Sequence, residues 1–247
     1  MSLPAGWIVP DWPAAARVRA FVTTRAGGVS AGDYASMNLG ASSGDEEEHV
    51  ARNRRIVRAL LPGDPVYLAQ VHGRDVVDLD RPREPGRPRA DAAVTGRPGN
   101  VAVVLTADCM PVFLADRAGS RVAVAHAGWR GLSAGVLESA IAALGAGPSD
   151  VVAWMGPAIG PRAFEVGAEV KEAFESSDAG AGEAFLQHKP GKFMADLYAL
   201  ARRRFARAGV AQVHGGGYCT FEEADRFFSY RRVQRSGRMG AFIWIEP

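Results

Sequence analysis

The chain has 247 residues, 47% of them hydrophobic and 23% charged, with a formal net charge of +2. This is the composition of a soluble globular protein with a substantial core, and no apolar stretch approaches the length needed to cross a bilayer. Arginine supplies nearly all the positive charge, since Lys171, Lys189 and Lys192 are the only lysines; its clusters, RNRRIVR (52–58) and RRR (202–204), fall in helix-like patterns and read as solvated faces, not as a nucleic-acid footprint.

The opening stretch, MSLPAGWIVPDWP, lacks the basic start and continuous apolar segment of a secretory signal, so a cytoplasmic location with no membrane or nucleic-acid partner is expected. Residues 20–25 (AFVTTR) read as a first strand, followed by the glycine-rich loop AGGVSAGDY. SSGDEEEHVARNRRIVRAL then reads as a helix, with Ser43 and Glu46 as a capping box and Pro62-Gly63 as its stop. PVYLAQVH is the next strand, delivering His72 at its end. RPREPGRPR (81–89) is an exposed loop, too short and too early to separate two domains. VAVVLT, PVFLA, RVAVA and VVAWM read as buried strands. Helical patterns follow at 133–144, 167–176 and 195–208, and GAFIWIE forms a last strand. Strands and helices interleave without regular βαβ spacing, and neither GxGxxG nor GxxxxGK[ST] is present, so the expected fold is a single α+β domain over 1–247 with mixed sheets.

Chemistry concentrates in LTADCMPVFLADRAGSRVAVAHAGWRGL (105–132). If PVFLA and RVAVA pair as a hairpin around DRAGS, the numbers of paired residues sum to about 235–237, which places Cys109 opposite 126–128. Cys109 and His126 then come within side-chain reach. On spacing alone, a buried thiol beside a surface imidazole fits this arrangement as well as a functional site does. With only Cys109 and Cys219 in the chain, no disulfide framework is indicated, and in a reducing compartment Cys109 is a free thiol or a metal ligand. His72 is available as a third donor. Two histidines and one thiolate would leave a tetrahedral zinc with one open position. His49, His188 and His214 compete for these places, and His214 with Cys219 forms a second His/Cys cluster in VHGGGYCT. Arg130, read as standing before a helix that starts near Ser133, would make an anion site with the helix N-terminus.

Taken together, QVHG (70–73), ADAAVT (90–95), TADCMPV (106–112), AHAGWRG (125–131), GPAIGP (156–161), FFSYRR…GRMGAFIWI (227–245) and TTRAGGVSAGDYASMNLG (23–40) resemble the YfiH-like family. Its members carry the older label of multicopper polyphenol oxidase or laccase-domain protein and are associated with purine nucleoside phosphorylase activity. The resemblance runs from about residue 20 to 245. It implies an α/β/β/α layered domain and a zinc held by His72, Cys109 and His126. The activities implied are phosphorolysis of adenosine, guanosine, inosine and methylthioadenosine, and deamination of adenosine. Purine nucleosides and phosphate are the expected partners, and a monomer or weak homodimer the expected state. The chain departs from the family pattern at Ala201, where many members have Asn, and at Phe164, where Tyr is frequent; both bear on substrate preference.

For phosphorolysis, Arg130 is the first candidate to hold phosphate and Arg54 the second. Asn38 is a candidate for bonding the base or ribose, and Asp108 for carrying a proton. Five histidines and no H-x-H pair do not build the trinuclear centre of a multicopper oxidase, although copper could occupy a single His-Cys-His site. The rival enzyme class is a cysteine hydrolase or amidase, with Cys109 as nucleophile and His126 as base. A non-catalytic module binding nucleosides or peptidoglycan fragments is the third reading.

Overall fold

The computed structural model describes residues 3–247; the first two residues of the opening stretch lie outside that range. In chain order the strands are β1 (Val18–Val22), β2 (Pro65–Tyr67), β3 (Val76–Asp78), β4 (Ala92–Thr95), β5 (Val101–Thr106), β6 (Met110–Asp116), β7 (Val122–Ala127), β8 (Val151–Met155), β9 (Glu165–Gly167), β10 (Phe185–Lys189), β11 (Lys192–Ala195), β12 (Gln212–Gly215) and β13 (Met239–Ile245). The α-helices are α1 (Glu47–Arg58), α2 (Trp129–Ala134), α3 (Val136–Leu144), α4 (Ala168–Glu175) and α5 (Leu197–Arg207).

Two mixed sheets stack face to face. One has the order β1-β13-β5-β2 and the other β12-β8-β6-β7-β4-β3, with β9, β10 and β11 forming a small third sheet. Along β5, Ala102 and Val104 point between the large sheets and meet Phe113, Val124 and Trp154. Val101 and Val103 point the other way, to the layer where Val57 of α1 packs with Phe21 and Phe242. The outer face of the six-stranded sheet carries Val112, Leu114, Ala123 and Ala125 against Leu137 and Ala140 of α3 and Leu200 and Phe205 of α5. The layers therefore run helix, sheet, sheet, helix. Both faces of each large sheet are covered, which is why β5, β6, β7 and β8 read as continuous apolar runs without alternation. No described helix is long and apolar enough to cross a membrane.

Three local expectations are corrected. The capping box does not form. α1 begins one turn later, with Glu46 at its N-cap and no side-chain cap. Ser43 instead donates to the Gly40 carbonyl, while Asp45 accepts from the Glu46 N–H, Ser30 and Asn38. The helix expected over 133–144 begins at Trp129 and is broken at Gly135, whose φ of 99° lies where glycine alone is at ease. Finally, PVYLAQVH pairs as a strand only to Tyr67. Beyond it the side chain of Gln70 takes over both ladder bonds, donating to the carbonyl and accepting from the N–H of Leu105, which frees the main chain to turn toward His72.

Candidate metal centre

The β6–β7 hairpin forms in the expected register, with Pro111 opposite His126 and Met110 opposite Ala127, so Cys109 stands just before the pairing begins and opposite Gly128. One donor atom from each of His72, Cys109 and His126 lies within 4.8 Å of the others. His72 is exposed, Cys109 half-buried and His126 buried, so the cluster sits at the sandwich rim and opens to solvent on the His72 side. Gly128 is required for this approach, because a Cβ there would meet the Cys109 Sγ at 2.6 Å.

Asp91 organises the site. Its side chain is fully buried, and its two oxygens accept from the backbone N–H groups of Val71, His72 and Gly73 at 3.1, 2.9 and 2.7 Å. Convergence of three successive N–H groups on one carboxylate matches the left-handed backbone of His72, φ 59°. Asp91 Oδ1 also lies 2.9 Å from His126 Nδ1. An Nδ1–H of His126 donating to this carboxylate leaves Nε2 as the atom that can ligate a metal, and such a carboxylate is the usual second partner of a metal-binding imidazole. ADAAVT carries Asp91, whose role is not evident from sequence spacing. The signal available was a carboxylate opening an otherwise apolar buried strand.

The electrostatics suit a soft cation. Burial pushes the Cys109 thiol up, but the charge and hydrogen bond of His126, joined by His72, prevail and bring it down to about 6. Burial likewise pushes His126 down, but Cys109 and Asp91 outweigh it and hold the imidazole up at about 9. The two values describe one coupled pair, thiolate beside imidazolium. A cation binding there would displace the imidazolium proton. Two imidazole nitrogens and one thiolate fit zinc with an open position, and they also fit copper.

The other candidates fall elsewhere. Asn38 is fully buried; its amide donates to Ser43 and Asp45 and accepts from the N–H groups of Gly40 and Arg238. In this arrangement both amide hydrogens and both oxygen lone pairs are engaged within the protein. Arg54 turns Nε and Nη2 onto the Leu39 carbonyl and stacks 3.9 Å over the Tyr67 ring, so that edge of its guanidinium is already engaged. Asp108 accepts from Thr220 Oγ1 at 2.6 Å and from the Arg231 N–H at 2.7 Å. These two bonds clamp the C-terminal loop to the Cys109 corner. Arg130 lies inside the first turn of α2, not before it; it is exposed, with its guanidinium 4.4 Å from the Trp129 ring centre. The remaining histidines are engaged elsewhere: His49 beside Asp45 and Glu46, His188 on β10 beside Glu165, and His214 beside Gln212. Cys219 accepts from the Gly160 and Glu222 N–H groups, and no second group of three metal-ligating residues occurs among the described residues. Ala201 and Phe164 are both buried in the core beneath the six-stranded sheet.

A two-sheet layered protein with a single His-Cys-His centre on its rim is the class that this fold and site define. The chain belongs to the multi-copper polyphenol oxidoreductase laccase family, whose family model matches residues 19–246. It is 53% identical over 244 residues to the purine nucleoside phosphorylase YfiH of Escherichia coli, covering 96% of this chain and 98% of that one. It is 52% identical over 241 residues to a purine nucleoside phosphorylase of Pseudomonas aeruginosa, covering 97% and 98%. Among solved structures, a Neisseria meningitidis protein superposes with a TM-score of 0.92 at 48% identity, covering 98% of this chain and 100% of that one. YlmD of Geobacillus stearothermophilus superposes with a TM-score of 0.91 at 30% identity, covering 100% and 98%.

Proposed function

We propose that the chain is a zinc-dependent purine nucleoside phosphorylase, a single cytoplasmic catalytic domain over 1–247 working as a monomer or weak homodimer. The observation that carries the reading is the His72–Cys109–His126 cluster, fixed by Asp91, in a chain half identical over nearly its whole length to proteins named purine nucleoside phosphorylase. In the reaction, a phosphate oxygen bonds to the ribose anomeric carbon as the bond from that carbon to the purine nitrogen breaks. The bonding pair leaves with the base, which takes up a proton, and the products are free base and ribose 1-phosphate. Adenosine, guanosine, inosine and methylthioadenosine are the proposed substrates. Adenosine deamination, in which water replaces the amino group and ammonia leaves, is the proposed side activity. When bound, zinc supplies Lewis acidity at one open coordination position, and copper is the alternative occupant. Asp91 holds His126 in one tautomer and fixes the His72 turn, so the donors are set before any ligand arrives.

Adenosine incubated with and without phosphate separates these reactions. Adenine and ribose 1-phosphate are expected only with phosphate, whereas inosine and ammonia are expected in either case; adenine released with free ribose in the absence of phosphate would contradict phosphorolysis.

The thiolate beside His126 also favours a second reading, a cysteine hydrolase. Alkylation distinguishes the two, because coordination ties up the sulfur lone pair. Iodoacetamide is expected to modify Cys109 slowly in the metal-loaded protein and faster after chelation. A fast rate that ignores the chelator would favour the free nucleophile.

A further inference from the structure

Arginines in this chain that pair side-on with carboxylates use one edge of the guanidinium, Nε with Nη2. Arg19 does so with Glu246 at 2.7 and 3.2 Å, Arg162 with Glu222 at 3.2 and 3.0 Å, and Arg203 with Asp178 at 3.0 Å on both. The same edge fits two oxygens of a phosphate. In Arg54 it is spent on a carbonyl. Arg238 differs. Its Nη1 is fixed to the Ser236 and Gly237 carbonyls at 2.7 and 3.0 Å, while Nε and Nη2 have no partner among the described residues, and it forms no ion pair there.

Its position is equally constrained. Met239 pairs with Thr106 at the end of the β13–β5 ladder, so Arg238 continues across from Ala107, beside the Asp108–Cys109 corner. The Arg238 N–H donates to buried Asn38 at 2.9 Å. Its stem lies against Gly40, where an added Cβ would meet Arg238 Cγ at 2.7 Å, and its guanidinium is 5.7 Å from the Tyr230 ring centre. Burial pushes this guanidinium down, and the charges of Cys109 and Asp108 pull it back.

We propose that Arg238, through its free Nε/Nη2 edge, is the group that holds the phosphate oxyanion beside the His72–Cys109–His126 centre. The proposal rests on the phosphorylase reading, and it gives buried Asn38 a positioning task through the Arg238 backbone. It also demotes Arg130, whose exposed guanidinium is solvated and supports only a weak anion contact.

Inosine phosphorolysis at varied phosphate, with direct calorimetric titration of inorganic phosphate into the zinc-loaded protein, tests it. Arg238→Gln is expected to raise the KM for phosphate about 10- to 150-fold, more than it lowers kcat, with bound zinc unchanged. Arg238→Lys should recover part of the loss, and Arg130→Ala should change the KM by less than about fivefold. Gly40→Ala, which crowds the stem but keeps the guanidinium, should raise the same KM several-fold; with Arg238→Lys it carries the test if Arg238→Gln does not fold. A phosphate KM within twofold of wild type in Arg238→Gln, or in Gly40→Ala and Arg238→Lys together, overturns the assignment, as does equal loss of phosphate-independent adenosine deamination. Phosphate binding by the wild type that is lost in Arg238→Gln, with no base released by the wild type, would refute the phosphorylase reading while upholding the anion site. Wild-type protein that binds no phosphate would refute the site itself.

Discussion

Asp91→Ala is expected to lower folding stability by roughly 3–5 kcal/mol and to abolish tight metal binding. The size follows from what the carboxylate satisfies: three successive backbone N–H groups and the His126 imidazole, all around a fully buried side chain. Alanine leaves those donors without a partner and removes the negative charge beside a histidine that Cys109 and Asp91 hold up at about 9. Against a typical domain stability of about 5–15 kcal/mol, this is a large fraction. Asp91→Asn is the milder test. Its carbonyl can still accept from part of the 71–73 turn, but its amide turns a donor toward groups that are themselves donors. Zinc affinity is expected to fall about 10- to 100-fold in that variant. Denaturant unfolding and zinc competition against a chromogenic chelator measure the two effects. An Asp91→Asn protein with wild-type zinc affinity would show that the aspartate only supports the loop.

The second large effect is at Cys109. Wild-type protein is expected to purify with about one zinc per chain and Cys109→Ala with less than about one tenth of that, because two neutral imidazoles alone are a poor substitute for two imidazoles and a thiolate. Nucleoside cleavage should fall with the metal, by about 100-fold or more, since Lewis-acid assistance accounts for several kcal/mol in comparable centres. The fold should survive. The side chain is small and half-buried, and the hairpin that carries it is held by the β6–β7 ladder. Metal analysis beside a thermal melt separates loss of the site from loss of the protein; equal zinc in both proteins would remove Cys109 from the ligand set.

The sandwich strands and the hairpin register were legible in the sequence because both depend on local pattern. Apolar runs of β5 to β8 announce strands covered on both faces, and a short polar turn fixes which residues face each other. His72 was legible as a donor but not its delivery. The strand pattern of PVYLAQVH continues past Tyr67, whereas the chain leaves the ladder because the Gln70 side chain takes both backbone groups of Leu105, 35 residues on, and Asp91, about 20 residues on, captures the N–H groups of residues 71–73. Asn38 and Arg54 looked like ligand contacts because polar residues in a glycine-rich loop and a basic helix usually face water. Here the loop folds over α1, and Asn53, itself buried, ties the Ser36 and Asn38 carbonyls and the Val29 N–H to the helix. Arg238 was hidden for the opposite reason. Its neighbours in sequence, Ser236 and Gly237, say nothing of Cys109, and only the antiparallel pairing of β13 with β5 brings it to that corner.

The rate of ribose 1-phosphate formation from inosine, followed as zinc is titrated into metal-stripped protein, tests most directly whether His72, Cys109 and His126 form the centre of the reaction. The rate is expected to rise in proportion to bound zinc, to level at about one per chain, and to stay at baseline throughout in Cys109→Ala. Full activity in the stripped protein, or the same zinc response in Cys109→Ala, would contradict it.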